Sequence, residues 1–151
     1  DVWTVPKERM KGTLKTRRAH RIPLSSTCMS MLETLPRVHD LIFPSPTKPG
    51  RPMSNTAPDN LLQKVAPGMT THGFRSTFSD WAGEETNHAR ETKEAALAHV
   101  IGDQAERAYR RMDALAKRRV LMQDWADYLA GVTPPGGGSD APPAAQAPSG
   151  E

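Results

Sequence analysis

The stretch HGFRSTF, residues 72–78, places a histidine and an arginine three residues apart, His72 and Arg75. Side chains at that spacing lie on one face of a helix. Thr70 or Thr71 can cap such a helix, whose first turn then offers unpaired N–H groups and a positive dipole end to an anion. We therefore predict that His72 and Arg75 bind a phosphate, with the arginine holding two of its oxygens. The alternative is a helix with one solvated face, which a lone His-x-x-Arg favours.

Two further side chains that suit phosphate chemistry follow in order along the chain. His99 ends the stretch EAALAH, and Tyr109 lies ten residues later within ERAYRR. Taken singly, a histidine at a helix end is commonly a partner for the helix dipole, and such a tyrosine is commonly a surface aromatic. The ordered set of His-x-x-Arg, LAHVIG and a tyrosine on a short helix is much rarer than its parts. The order therefore indicates one site.

The elements that must position these residues are predicted to be mostly helical, in an α+β fold. Residues 2–5 and 20–24 are β-type stretches that predict a hairpin, with Pro6 and Pro23 at strand ends or edges. Ser25 is a good N-cap for a helix that Pro36 ends. Further helices are predicted at about 56–65, from residue 70 or 71 through Trp81, at 90–99 and on toward Gly102, at 105–110, and from an Asp113 cap to Gly131.

The apolar residues predict which helix faces are buried. The helix with the opening stretch carries a dry stripe of Phe74, Phe78 and Trp81, and Cys28 is expected to be a small core residue. Residues 41–43, LIF, are predicted to be a short buried extended piece. On the last helix one side is predicted to be apolar, with Tyr128 packing there beside these residues: Leu115, Met122, Trp125 and Leu129.

The charge and composition limit the kinds of partner. Lys and Arg total 20 against 17 Asp and Glu, a mild excess. Basic side chains concentrate in two segments, with seven among residues 1–24 and six among residues 107–119, which suggests either one face for a polyanion or two separate solvated surfaces. A single cysteine excludes an internal disulfide, no apolar run is long enough for a membrane span, and a cytoplasmic location is expected. Residues 132–151 are predicted to be a disordered tail.

Three stretches together resemble a known family. THGFRSTFSDWA, EAALAHVIGDQAERAYRR and KRRVLMQDWADYL are similar to the tyrosine site-specific recombinases, above all the integrases of prophages and genomic islands. VWTVPKERMK and AHRIPLS resemble the β-hairpin of the same catalytic domain. The resemblance covers roughly residues 1–130 and implies a hairpin followed by a helical bundle, which acts on double-stranded DNA without a metal or other cofactor. It also implies possible self-association on DNA and a location at the bacterial nucleoid.

The resemblance implies a role for each matching residue. Tyr109 takes the position of the nucleophile that forms a 3′-phosphotyrosyl link, and Arg75 that of the second of two phosphate-holding arginines. His72 takes the position that assists proton transfer, and His99 that of a hydrogen-bond donor to the phosphate. Lys11 best matches the lysine that protonates the leaving 5′-oxygen, with Lys15 as the alternative. The basic residues expected to hold flanking DNA are Lys15, Arg17, Arg18, Arg110 and Arg111.

The chain departs from the family pattern at its start, because Asp1 already lies in the hairpin region and the first phosphate-holding arginine would precede it. Residues 1–131 are therefore expected to be the C-terminal part of an integrase catalytic domain, either as a gene remnant or as a fragment of a longer enzyme. One alternative is a DNA-binding remnant that cannot cleave. Another is a metal hydrolase using His72, His88 and His99, although their spacing matches no standard ligand motif.

Overall fold

The computed structural model of the chain describes residues 1–11, 17–37, 40–99 and 114–132. Within these ranges it has a two-stranded antiparallel sheet and five α-helices, so the mostly helical α+β class is confirmed. No helix in the described ranges is long and apolar enough to cross a membrane. The strands are β1, Val2–Val5, and β2, His20–Pro23; the helices are α1, Ser26–Glu33, α2, Ala57–Val65, α3, Gly73–Glu84, α4, Arg90–Ala96, and α5, Leu115–Leu129.

The predicted hairpin is present. β1 pairs with β2 in a register that sets Val2 opposite Pro23 and Val5 opposite His20. Pro23 closes the second strand, where its missing N–H costs no ladder hydrogen bond. A single 3₁₀ turn, Lys7–Arg9, follows β1 and carries the chain toward Lys11.

Two of the predicted helix caps are confirmed. The Ser25 hydroxyl accepts from the Cys28 N–H at 3.2 Å at the start of α1. Thr70 Oγ1 accepts from the Gly73 N–H at 3.1 Å at the start of α3. These bonds satisfy N–H groups that have no partner inside the helix, and they fix where each helix begins. The predicted Asp113 cap and the predicted helix at 105–110 lie outside the described residues.

The core lies between α3 and α5, with the end of α4 against it. Its buried apolar side chains are Phe78, Trp81, Ala82 and Leu121. The Trp125 ring meets Phe78 edge-on at 5.5 Å and Trp81 at 4.9 Å between ring centroids, distances typical of favourable aromatic pairs. Tyr128 stacks on Trp125 at 5.6 Å, as predicted, although about half of its surface is exposed.

Several predictions about burial are wrong at the ends of the apolar stripes. Phe74 is 51 % exposed, because among the described residues the α3 stripe joins the core from Phe78 onward. Leu129 is exposed for a similar reason, since it lies at the C-terminal end of α5, beyond the core that Leu121 and Trp125 contact. Cys28 is only partly buried and lies outside the core cluster.

The segment from residue 40 to α3 also differs from its prediction. Ile42 and Phe43 are 58 % and 57 % exposed, so LIF is not a buried piece. The chain instead folds back on itself in an isolated bridge between Pro44 and Pro52, with the Met53 N–H donating to the Phe43 carbonyl at 3.0 Å. α2 follows within one residue of its predicted bounds, with Pro58 in its first turn, where a proline is tolerated.

Candidate active site

Arg75 links α3 to the end of α4. It lies in the first turn of α3, and its guanidinium donates through Nη2 to the Leu97 carbonyl at 2.5 Å. The two residues are 22 positions apart in sequence. Since a guanidinium has five N–H donors in a planar fork, one bond to a carbonyl leaves donors for a second acceptor. Arg75 is exposed, so such an acceptor can reach it from solvent.

Residues 95–99, the last two residues of α4 and the three that follow, form a tight turn that we call the α4 turn. The Ala98 N–H donates to the Ala95 carbonyl and the His99 N–H to the Glu94 carbonyl, which is the pattern of a Schellman motif. Ala98 occupies the left-handed position of this motif, with φ 54°. The predicted helix through residue 99 is therefore too long, because this motif ends it at Ala96.

His99 is placed by the α4 turn and by one carboxylate. Its Nδ1 lies 2.6 Å from Glu94 Oε2, and about half of its side chain is exposed. A carboxylate on one ring nitrogen fixes the orientation of the imidazole, which leaves Nε2 as the nitrogen that faces other groups. Leu97, the acceptor for Arg75, is two residues before His99, so the turn brings the segments of these two predicted site residues together.

His72 stands directly before α3 and is exposed. Its carbonyl accepts from the Arg75 N–H at 3.1 Å, so both residues belong to one turn of chain. Its side chain makes no capping bond, because Thr70 performs that role. The predicted pairing of His72 and Arg75 at the start of one helix is therefore confirmed in position, while their binding of phosphate remains a prediction.

The remaining predicted site residues are either at least partly exposed or outside the described ranges. Lys11 and Arg18 are exposed, and Arg17 is partly buried. The predicted nucleophile Tyr109 lies outside the described residues, together with Lys15, Arg110 and Arg111. Their predicted roles stay predictions.

One residue that the sequence analysis assigned to a basic surface is instead buried. Arg118 is 2 % exposed and donates through Nη1 to the Ala95 carbonyl at 3.1 Å and through Nη2 to the Arg21 carbonyl. It therefore joins α5 to both the α4 turn and β2. The signal was present in the sequence, because Arg118 shares its helical face with Leu121, Met122 and Trp125 at spacings of three, four and seven residues.

The next basic residue in the sequence, Arg119, also has a partner within the protein. Arg119 pairs through its guanidinium with the Asp1 carboxylate. Both interpretations of the basic segment 107–119, as part of one polyanion-binding face or as a separate solvated surface, are wrong for Arg118, and Arg119 already has a carboxylate partner.

A metal site built from His72, His88 and His99 finds no support. His88 Nε2 lies 2.7 Å from Asp124 Oδ2 on α5, and His99 pairs with Glu94. Across the ranges that the structure describes, no three side chains of His, Cys, Asp or Glu come together as metal ligands would.

Comparison with curated proteins identifies relatives of one kind. The chain is 38 % identical over 132 residues to the prophage integrase IntA of Escherichia coli K12, a match that covers 84 % of the chain and 31 % of IntA. It is 30 % identical over 124 residues to the integrase of Shigella phage Sf6, covering 78 % of the chain and 32 % of that protein. The integrase of Enterobacteria phage P4 matches at 28 % identity, over 85 % of the chain and 33 % of its own length.

The chain thus spans about a third of the length of the curated relatives it matches. No family model matches the chain. No solved structure matches it either.

Proposed function

Because the chain belongs to the family of phage and prophage integrases, we propose that it contributes the catalytic centre of a tyrosine recombinase. The reaction is cleavage and rejoining of DNA strands through a 3′-phosphotyrosyl intermediate. Tyr109 is the nucleophile, Arg75 and His99 hold the phosphate, His72 assists proton transfer, and Lys11 protonates the leaving group.

The observation that carries this proposal is the hydrogen bond from Arg75 to the Leu97 carbonyl. It connects two sequence motifs that the proposed reaction needs at one phosphate, His-x-x-Arg and LAHVIG. It also fixes one edge of the guanidinium, so the remaining donors are held in a defined direction. A pre-oriented donor pair stabilises developing charge without having to reorganise during the reaction.

The proposed chemistry depends on positively charged and hydrogen-bond-donating side chains that stabilise the charge on the phosphate. A phenol is mostly protonated at neutral pH, since its ordinary pKa is about 10. As the Tyr109 oxygen bonds to phosphorus, its proton passes toward His72, and the phosphate gains negative charge on its non-bridging oxygens. Arg75 and His99 donate to those oxygens. The bond from phosphorus to the 5′-oxygen then breaks, and that oxygen takes a proton from Lys11, which leaves a free 5′-hydroxyl.

The proposed DNA partner is held by basic residues from two segments of the chain. Lys15, Arg17 and Arg18 lie between the two hairpin strands in sequence, while Arg110 and Arg111 directly follow the nucleophile Tyr109. Arg118 does not contribute to this surface because its guanidinium is buried against main-chain carbonyls. Binding of this kind is dominated by phosphate contacts and falls with added salt.

The test is a chimera in which this chain replaces the segment of IntA to which it aligns. A duplex that carries the parent integrase's recombination site, with a nick beside the cleavage point, traps the covalent intermediate because the cut fragment diffuses away. We expect a protein–DNA adduct in the absence of divalent metal. Mass spectrometry should locate the link on Tyr109, and Tyr109→Phe should abolish the adduct while DNA affinity stays unchanged.

Tyr128→Phe is the matched control, because it keeps the ring that stacks on Trp125 and removes only the hydroxyl. This variant should form the adduct normally. An adduct that persists in Tyr109→Phe, or one that needs a divalent metal, contradicts the proposed mechanism. DNA binding without any adduct in the unsubstituted chimera favours the non-catalytic remnant instead.

A further inference from the structure

We infer that Arg118 is a positioning residue for this centre, which holds the α4 turn and the hairpin in their working places. The inference rests on the proposed function, since it concerns the alignment of Arg75 and His99. Arg118 is not itself part of the phosphate site, because its side chain is buried in the body of the protein.

The first part of the argument is the pair of carbonyls that Arg118 binds. Ala95 lies in the last turn of α4, and its carbonyl also receives the Ala98 N–H that forms the α4 turn. Arg21 lies in β2, opposite Thr4 of β1. One planar guanidinium on α5 therefore binds main-chain carbonyls of two different elements, α4 and β2.

The second part is the position of the α4 turn between two arginines. Arg118 donates to the carbonyl of residue 95 and Arg75 to that of residue 97. Both carbonyls lie at the C-terminal end of a helix, where the dipole favours cations and the last carbonyls lack partners inside the helix. Arg118 approaches from the buried side and Arg75 from the exposed side, so the buried bond sets where the exposed one forms.

The third part is the consequence of losing the buried bond. The α4 turn carries the acceptor for Arg75 and leads directly to His99, so a shift of this turn moves both. A displacement of about 1 Å at a phosphate-transfer centre is enough to cost roughly a hundredfold in rate. Lysine does not replace this arginine, because a compact ammonium lacks the fork that reaches two carbonyls on separate elements.

The test compares Arg118→Lys with Arg119→Lys in the chimera. The nicked substrate gives two readouts, since the amplitude of adduct formation reports the fraction of correctly folded molecules and the first-order rate constant reports the alignment of each folded one. We expect Arg118→Lys to lower the rate constant about ten- to a hundredfold at unchanged DNA affinity. Arg119→Lys, which keeps a cation beside the Asp1 carboxylate, should change neither.

Amide hydrogen exchange on the 151-residue chain tests the same inference without relying on catalysis. In Arg118→Lys, the N–H groups of Ala98 and His99 should exchange faster, whereas the Ala66 N–H at the end of α2 should keep its rate. Loss of the adduct in the unsubstituted chimera would count against the proposed function, while the exchange result would still report on Arg118.

The inference is overturned if Arg118→Lys lowers only the amplitude, or if Ala98 and His99 exchange at their original rates. Arg118→Gln is the second variant, because its amide still donates to one carbonyl. Failure of both variants to fold also overturns the inference, since Arg118 would then serve the stability of the whole domain rather than the alignment of the centre.

Discussion

Two regions of the described chain, the helices α3–α5 and residues 40–71, use their apolar residues in different ways. α3, α4 and α5 meet in a core around Phe78, Trp81 and Leu121. Residues 40–71 contain no buried side chain, although α2 has a clear division between apolar and polar faces. Leu61 and Val65, one turn apart on α2, are 62 % and 71 % exposed.

The difference shows that an amphipathic pattern marks a face that can be buried but does not tell what covers it.

The side-chain hydrogen bonds that join elements differ between the two regions in the same way. Arg118 is buried and joins α5 to two other elements, whereas the partly exposed Asp59 of α2 accepts from the N–H and hydroxyl of Thr71 just before α3. Arg75 and the α4 turn belong to the region formed by α3, α4 and α5, so their geometry depends on the core.

The largest expected effect is on the free energy of unfolding, and two Leu→Ala substitutions, one in each region, test the comparison most directly. Leu121 is fully buried, so Leu121→Ala should lower the free energy of unfolding by about 2–5 kcal/mol through lost burial and a residual cavity. Leu61→Ala removes the same atoms from an exposed helix position and should change it by less than about 0.5 kcal/mol. Urea unfolding of both variants measures the difference. Equal losses would show that α2 is packed on the body of the protein.

A smaller effect is expected at the ends of α4 and α5, which share one motif. Both helices end with a left-handed residue, Ala98 at φ 54° in α4 and Gly131 at φ 69° in α5. Ala98→Gly removes the strain on a Cβ atom and should raise the free energy of unfolding by roughly 0.5–1 kcal/mol. Gly131→Ala introduces the same strain and should lower it by a similar amount. Thermal melts that show the opposite sign for Ala98→Gly would contradict this assignment.

The smallest expected effect concerns the link between α2 and α3. Hydrogen bonds from the Thr71 backbone N–H, and then from its hydroxyl, lower the pKa of Asp59. A carboxyl with a lowered pKa in the folded state contributes stability above its unfolded pKa and loses it as the pH falls through the folded value. The difference in Tm between the original chain and Asp59→Asn should therefore be constant above about pH 5 and shrink as the pH falls below about 4.

Thr71→Ser retains both donors to Asp59 and is the control for that experiment. It should keep the original pH dependence. A difference in Tm between the original chain and Asp59→Asn that does not change with pH would mean that the carboxylate does not hold α2 to the start of α3.

The sequence was sufficient for the features that depend on local chemistry. Ser25 and Thr70 cap their helices, the hairpin pairs as predicted, and Gly131 follows the end of α5. These features follow from hydrogen-bonding capacity and backbone preference within a few residues.

The wrong predictions concern burial and helix length at positions where contacts with residues distant in sequence determine the outcome. Phe74 and Ile42 are exposed because no element within the described ranges covers them, and Arg118 is buried because it donates to carbonyls of α4 and β2 from its place on α5. α4 stops at Ala96 although its sequence favours a longer helix, since residues 95–99 form a Schellman motif with alanine at the position that usually holds glycine. For the site, the sequence indicated the order of the motifs, and the Arg75–Leu97 bond shows how two of them meet.

The most direct test of the central claim, that Arg75 is a phosphate ligand held by the α4 turn, is the rate of adduct formation in Arg75→Lys. Lysine keeps the charge but loses the planar fork, so we expect the rate in the chimera to fall about 10²–10³-fold. DNA affinity should stay within about threefold, because the lost interaction is made mainly in the transition state. Arg90→Lys, an exposed arginine at the opposite end of α4, is the control and should cleave normally. Normal cleavage by Arg75→Lys would contradict the claim.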